Sequence, residues 1–134
     1  MTPKGSRSGR LGLITFATLM ASCGADLGPA LPDPGPSSGL DPETMLADLT
    51  KAEAIAFCDW TAGRFGGYGR GVTCADGTTL SARQSEALCV MDWTTASPNC
   101  PLTVGDFEEC VNGAVVVPRC RTVPPVCLGV VLCR

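Results

Sequence analysis

The stretch Leu102-Thr103-Val104-Gly105-Asp106-Phe107-Glu108-Glu109-Cys110-Val111 sets the pattern for this chain. Thr103 stands three residues before Asp106, the spacing at which a hydroxyl and a side-chain acceptor cap the start of a helix reciprocally. Leu102 and Phe107 occupy the two positions of a hydrophobic staple, and Phe107, Cys110, Val111 and Ala114 recur on one helical face. The same opening occurs twice more, as Leu49-Thr50 with Glu53 before Cys58, and as Leu80-Ser81 with Gln84 before Cys89. The repeat predicts three helices. Ile55, Cys58, Ala62 and Phe65 share a stripe on the first, and Ser85, Leu88, Cys89 and Trp93 share one on the second, so each cysteine is expected to face inward.

Around these helices the punctuation is clear. Asp41 and Pro42 suit the cap and first turn of a further short helix. Phe65-Gly66-Gly67-Tyr68-Gly69-Arg70-Gly71 reads as a glycine-capped helix end and turn, and Cys74-Ala75-Asp76-Gly77 as a tight turn between two short strands. Pro118, Pro124 and Pro125 exclude another long helix, while the apolar run from Val126 to Leu132 is expected to be buried against the helices.

Only seven aromatic residues are available for a core, in a chain of 134 residues with nine cysteines. Small domains with thin cores are commonly stapled by disulfides. Eight cysteines, Cys58, Cys74, Cys89, Cys100, Cys110, Cys120, Cys127 and Cys133, fall in the C-terminal part. The closest two, Cys127 and Cys133, are separated by five residues, wider than the usual close ligand pairs of structural zinc, and histidine is absent. Disulfides rather than a metal are therefore expected, with the pairing open, in an oxidising compartment. The chain lacks the adjacent cysteines or Cys-x-Cys of hydrophobins and plant lipid-transfer proteins, which also use eight. The expected fold is small, disulfide-rich and mainly α, with about three short helices and four disulfides over residues 41–134.

The N-terminal part reads as an address. Lys4, Arg7 and Arg10 precede an uncharged apolar stretch from Leu11 to Met20, too short for the roughly 20 apolar residues of a membrane-spanning helix. Leu19, Met20, Ala21, Ser22 and Cys23 resemble the lipobox of bacterial lipoproteins, with Met20 where leucine, valine or isoleucine is usual. The resemblance implies a signal peptide over residues 1–22, cleavage before Cys23 and a diacylglyceryl group on that cysteine. It also gives Cys23 a use outside the eight-cysteine set. Neither Gly24 nor Ala25 is the aspartate that often marks inner-membrane retention in this family, which favours the outer membrane. Residues 23–40, with Pro29, Pro32, Pro34 and Pro36, read as a linker. The 17 residues after Cys23 would span about 23 Å as a coil, or up to about 50 Å extended, displaying the domain away from the bilayer.

Removal of Lys4, Arg7 and Arg10 leaves seven basic and thirteen acidic residues, a net charge of −6. Nucleic acid is thus a poor candidate partner, since its binders need a basic stripe. The missing histidine removes Ser-His-Asp and Cys-His nucleophiles. Carboxylates are the remaining catalytic groups in number. Asp59-Trp60 and Asp92-Trp93 invite comparison with glycoside hydrolysis, although a solvated aspartate beside a core tryptophan accounts for each. Glu108 and Glu109 are expected to face solvent. The glycine-rich segment ends a helix instead of opening one, so it is no phosphate cradle, and Phe65, Tyr68 and Arg70 stand as candidate partner contacts.

The composition, rich in alanine, glycine and arginine, resembles that of small cysteine-rich lipoproteins of unknown function from high-GC Gram-negative bacteria. The leading expectation is a non-enzymatic, cofactor-free lipoprotein, held at the membrane through Cys23, whose domain binds an envelope or extracellular protein or serves the envelope structurally. The rivals are a carboxylate-dependent hydrolase of envelope sugar polymers and an inhibitor or immunity-type module.

Overall fold

The computed structural model describes residues 29–116 and 119–134. The proposed signal peptide, Cys23 and Pro118 lie outside the described residues. The domain is small, mainly helical and disulfide-rich. A 3-10 turn, Leu46–Asp48, precedes helix α1 (Lys51–Arg64), which is followed by strands β1 (Gly71–Thr73) and β2 (Thr79–Ser81), helices α2 (Glu86–Thr94) and α3 (Val104–Ala114), and a C-terminal 3-10 helix, Pro125–Cys133.

Two of the three predicted openings form as read. Thr50 and Glu53 close a reciprocal capping box on α1, and Thr103 and Asp106 close one on α3. The expected start at Ser81–Gln84 does not form. Leu80 and Ser81 lie in β2, antiparallel to β1, and the pairing runs on as Ala82 N–H donates to Arg70 O and Gly69 N–H to Arg83 O. Backbone committed to that ladder cannot turn helical, so α2 begins later, with the Ser85 hydroxyl accepting from Leu88 N–H. Its buried side is Cys89, Val90 and Trp93, and Leu88 is exposed, against expectation. The Asp41 helix is also replaced. Pro42, Thr44 and Leu102 carbonyls accept from Gly105, Val104 and Leu46 N–H respectively, so residues 42–46 pair with the chain entering α3 and reach only a 3-10 turn.

The core centres on Phe57, which the predicted stripe omitted. Its ring lies 5.7 Å from that of Trp60, 5.9 Å from Trp93 and 5.2 Å from Phe107. Such aromatic pairs add about 0.5–1.5 kcal/mol each beyond their area burial. Helix α1 is covered on nearly every side, with Ala54, Phe57, Cys58, Trp60, Thr61, Ala62 and Gly63 all buried, while Ile55 is half-buried.

The cover on one side comes from the segment read as a linker. From residue 29 onward the chain is docked as a strap. Leu31 N–H donates to Gly66 O, Asp33 pairs with Arg64 at 2.7 Å, and Trp60 Nε1 donates to Gly35 O at 3.0 Å. Across on α3, Glu108 accepts from Ser38 N–H at 2.6 Å and Asn112 donates to Pro36 O at 2.7 Å. Glu108 is therefore a strap contact, not a solvent-facing charge; Glu109 is exposed. A β-carbon on Gly63 would come within 2.7 Å of the Pro34 ring, so the mid-helix glycine makes room for the strap.

Eight cysteines form four disulfides: Cys58–Cys89 joins α1 to α2, Cys110–Cys127 joins α3 to the C-terminal 3-10 helix, Cys74–Cys120 ties the hairpin turn to the chain beyond α3, and Cys100–Cys133 fixes the C-terminal end.

Candidate functional site

The C-terminal 3-10 helix shapes the most distinctive surface. With three residues per turn, Cys127, Val130 and Cys133 form one row. Disulfides to Cys110 and Cys100 turn that row inward, and Gly129 lets the helix approach Leu102, whose methyl would lie 2.6 Å from an added β-carbon. Val126 also packs against the core, and the other apolar side chains point out. Leu128 is 71% exposed, Val131 74% and Leu132 62%, which corrects the expectation that this run is buried.

Between this helix and the rest of the domain lies a recess of about 330 Å³. Leu80 and Ala82 from the hairpin, Trp93 from α2, Phe107 from α3, and Val130 and Val131 give it an apolar lining. Its polar residues include Arg83, Asp92 and Arg134. The first two neutralise each other, since Arg83 Nε lies 2.6 Å and its Nη2 2.9 Å from the Asp92 carboxylate. The volume lies at the low end of small-molecule sites, and an apolar wall with a few polar groups is their usual character.

The predicted partner contacts do not gather into an open surface. Phe65 is buried in the core, because the glycines that follow it fold the chain back over the end of α1, with Gly67 N–H donating to Ala62 O at 2.7 Å. Tyr68 packs against the core and its hydroxyl donates to Asp59 at 2.8 Å. Burial, then the bond to the Asp59 carboxylate, raises the Tyr68 phenol far above its ordinary pKa. Arg70 is half-buried beside Gly66 and Gly67.

The two Asp-Trp pairs are also accounted for. Trp60 and Trp93 are buried and belong to the aromatic cluster around Phe57, Trp93 also lining the recess beside Asp92. Asp59 is bonded to Tyr68, and Asp92 to Arg83. A second, more open cleft of about 400 Å³ follows the seam between the strap and α1 and includes Asp59 and Trp60.

No described helix is long and apolar enough to cross a membrane. The chain matches no protein-family model, no curated protein and no solved structure.

Proposed function

We propose that this is an exported, lipid-anchored envelope protein whose disulfide-stapled domain is a non-catalytic binding module, with the apolar recess and the C-terminal 3-10 helix as its binding surface. One observation carries the anchor. The eight cysteines of the domain pair exclusively with one another, so the covalent framework is complete without Cys23, the residue at the lipobox position. Four disulfides also belong to an oxidising compartment. The absence of aspartate after Cys23 favours the outer membrane.

The binding role is supported by the recess itself. Its residues offer apolar contact and a self-neutralised ion pair, a constellation suited to holding an apolar group and short of an acid–base pair poised on a substrate.

Peptide mass spectrometry of the protein from its native membrane fraction, with thiols alkylated before reduction, tests the reading. The expected result is a mature N-terminus at an acylated Cys23 and no alkylated cysteine among the other eight. An uncleaved Met1, or several free thiols, would overturn it.

A further inference from the structure

We infer that the C-terminal 3-10 helix is a bilayer-contact face, so that the domain sits on the membrane surface with Leu128, Val131 and Leu132 among the lipid headgroups and upper acyl chains. This names the partner of the binding surface proposed above and rests on that reading for its tether.

The length of the tether is the first argument. Because the strap is docked from Pro29, only six peptide steps separate Cys23 from fixed structure. Fully extended, they reach roughly 20 Å. An anchor at Cys23 therefore keeps the start of the strap within roughly 20 Å of the bilayer, close enough for one face of the domain to rest there. Contacts connect the strap's start to the apolar face. Pro29 abuts Gly67, Gly69 N–H donates to Arg83 O, and Arg83 and Val131 line the same recess.

Charge is the second argument. All thirteen acidic residues lie at or before Glu109, while residues 110–134 carry Arg119, Arg121 and Arg134 and no acid. All three arginines are exposed. Exposed leucine and valine on a segment whose charged side chains are all arginine, with the nearby Asp92 neutralised by Arg83, suit a surface that lies in the interface of an anionic bilayer. A soluble protein partner would not require the acid-free stretch, and the rest of this acidic domain would be repelled by the same lipids, which orients it.

The test uses the mature chain, residues 23–134 with Cys23→Ser, checked by mass for four disulfides. It is floated with vesicles of phosphatidylethanolamine and phosphatidylglycerol at three to one. The chain is expected to float with the lipid. Combining Leu128→Ser, Val131→Ser and Leu132→Ser should lower its partitioning at least tenfold, and high salt should lower it several-fold. These side chains are largely exposed, so the variant keeps its fold, which circular dichroism checks. Failure of the Cys23→Ser chain to float, or equal flotation of the triple variant, overturns the inference. So does a self-association that the triple variant abolishes in the absence of flotation, which would assign the face to a second copy. Because the tested chain carries no lipid, its outcome is independent of the anchor, which the mass of the Cys23 peptide decides separately.

Discussion

The Trp60 indole and the Gly35 carbonyl, 25 residues apart in sequence, meet in a 3.0 Å hydrogen bond that fastens the strap to α1. Trp60→Phe keeps most of the packing and loses the donor, leaving a part-buried carbonyl unpaired. A loss of about 1 kcal/mol is expected in chemical denaturation. Gly63→Val is a stronger test, since its β-carbon meets the Pro34 ring. It should release the strap, seen as faster amide exchange across residues 31–40 while α2 and α3 stay protected.

Acid should loosen the strap. The Asp33 carboxyl is held below its ordinary pKa, first by the hydrogen bond from Arg64 and then by Gly35 N–H. A group whose folded pKa is depressed stabilises the fold above its unfolded pKa, and that contribution is lost as pH falls through the folded value. Glu53, bonded to Thr50, and Asp76, bonded to Thr78, act with the same sign. Pepsin cleavage within residues 31–40 should therefore rise below about pH 4. Asp33→Asn should raise cleavage of this segment by a neutral protease at pH 7 and weaken the acid dependence.

Tyr68 is the only tyrosine, so its ionisation can be read directly from absorbance near the phenolate band. Burial and the Asp59 carboxylate raise its pKa. The stability of the neutral phenol is complete below its unfolded pKa and is lost only as pH rises toward the folded value. The folded protein should thus show no phenolate at about pH 10, where an ordinary tyrosine is half ionised. Asp59→Asn should move the titration back toward that value.

Phe57 bridges three other aromatic rings and is fully buried. Phe57→Ala should cost about 3–5 kcal/mol, measured by denaturant unfolding of the oxidised chain. A cost below about 1 kcal/mol would mean that the aromatic cluster is not the centre of the fold.

Among the disulfides, Cys74–Cys120 spans 46 residues and Cys110–Cys127 spans 17. If restriction of the unfolded chain dominates, replacing the longer pair with alanines should cost about 1 kcal/mol more than replacing the shorter. Paired denaturation curves of the two double variants decide this, and equal costs would point to native-state contacts as the main term.

What the sequence made readable was local chemistry. The Thr50–Glu53 and Thr103–Asp106 caps depend on residues three apart and formed as expected. Ser81–Gln84 has the same local signature but lost to strand pairing with residues more distant in the chain. The docking of the proline-rich residues from 29 onward was not legible, because composition says nothing of a docking partner. Its one local trace was Gly63, a glycine inside a helix beside a tryptophan. Phe65, read as a contact, belongs to the core because the turn after it folds back. The recess was not legible at all. Its walls come from the hairpin, α2, α3 and the C-terminal helix, and the disulfides that bring them together follow no rule of spacing. The inward row of Cys127, Val130 and Cys133 could have been found from the six-residue interval alone, given a helix of three residues per turn.

The four overlapping bridges also limit how far the domain can be stretched. From Cys58 to Cys133 every residue lies inside at least one covalently closed loop. A pull on the N-terminal end can peel the strap, then the 3-10 turn and the first half of α1, paying out roughly 100 Å of chain before Cys58 takes the load. Beyond that point force is borne by sulfur–sulfur bonds as well as by packing. A protease nick anywhere between Cys58 and Cys133 likewise leaves both fragments joined, so under load or under attack the protein yields first at its strap and keeps its recess.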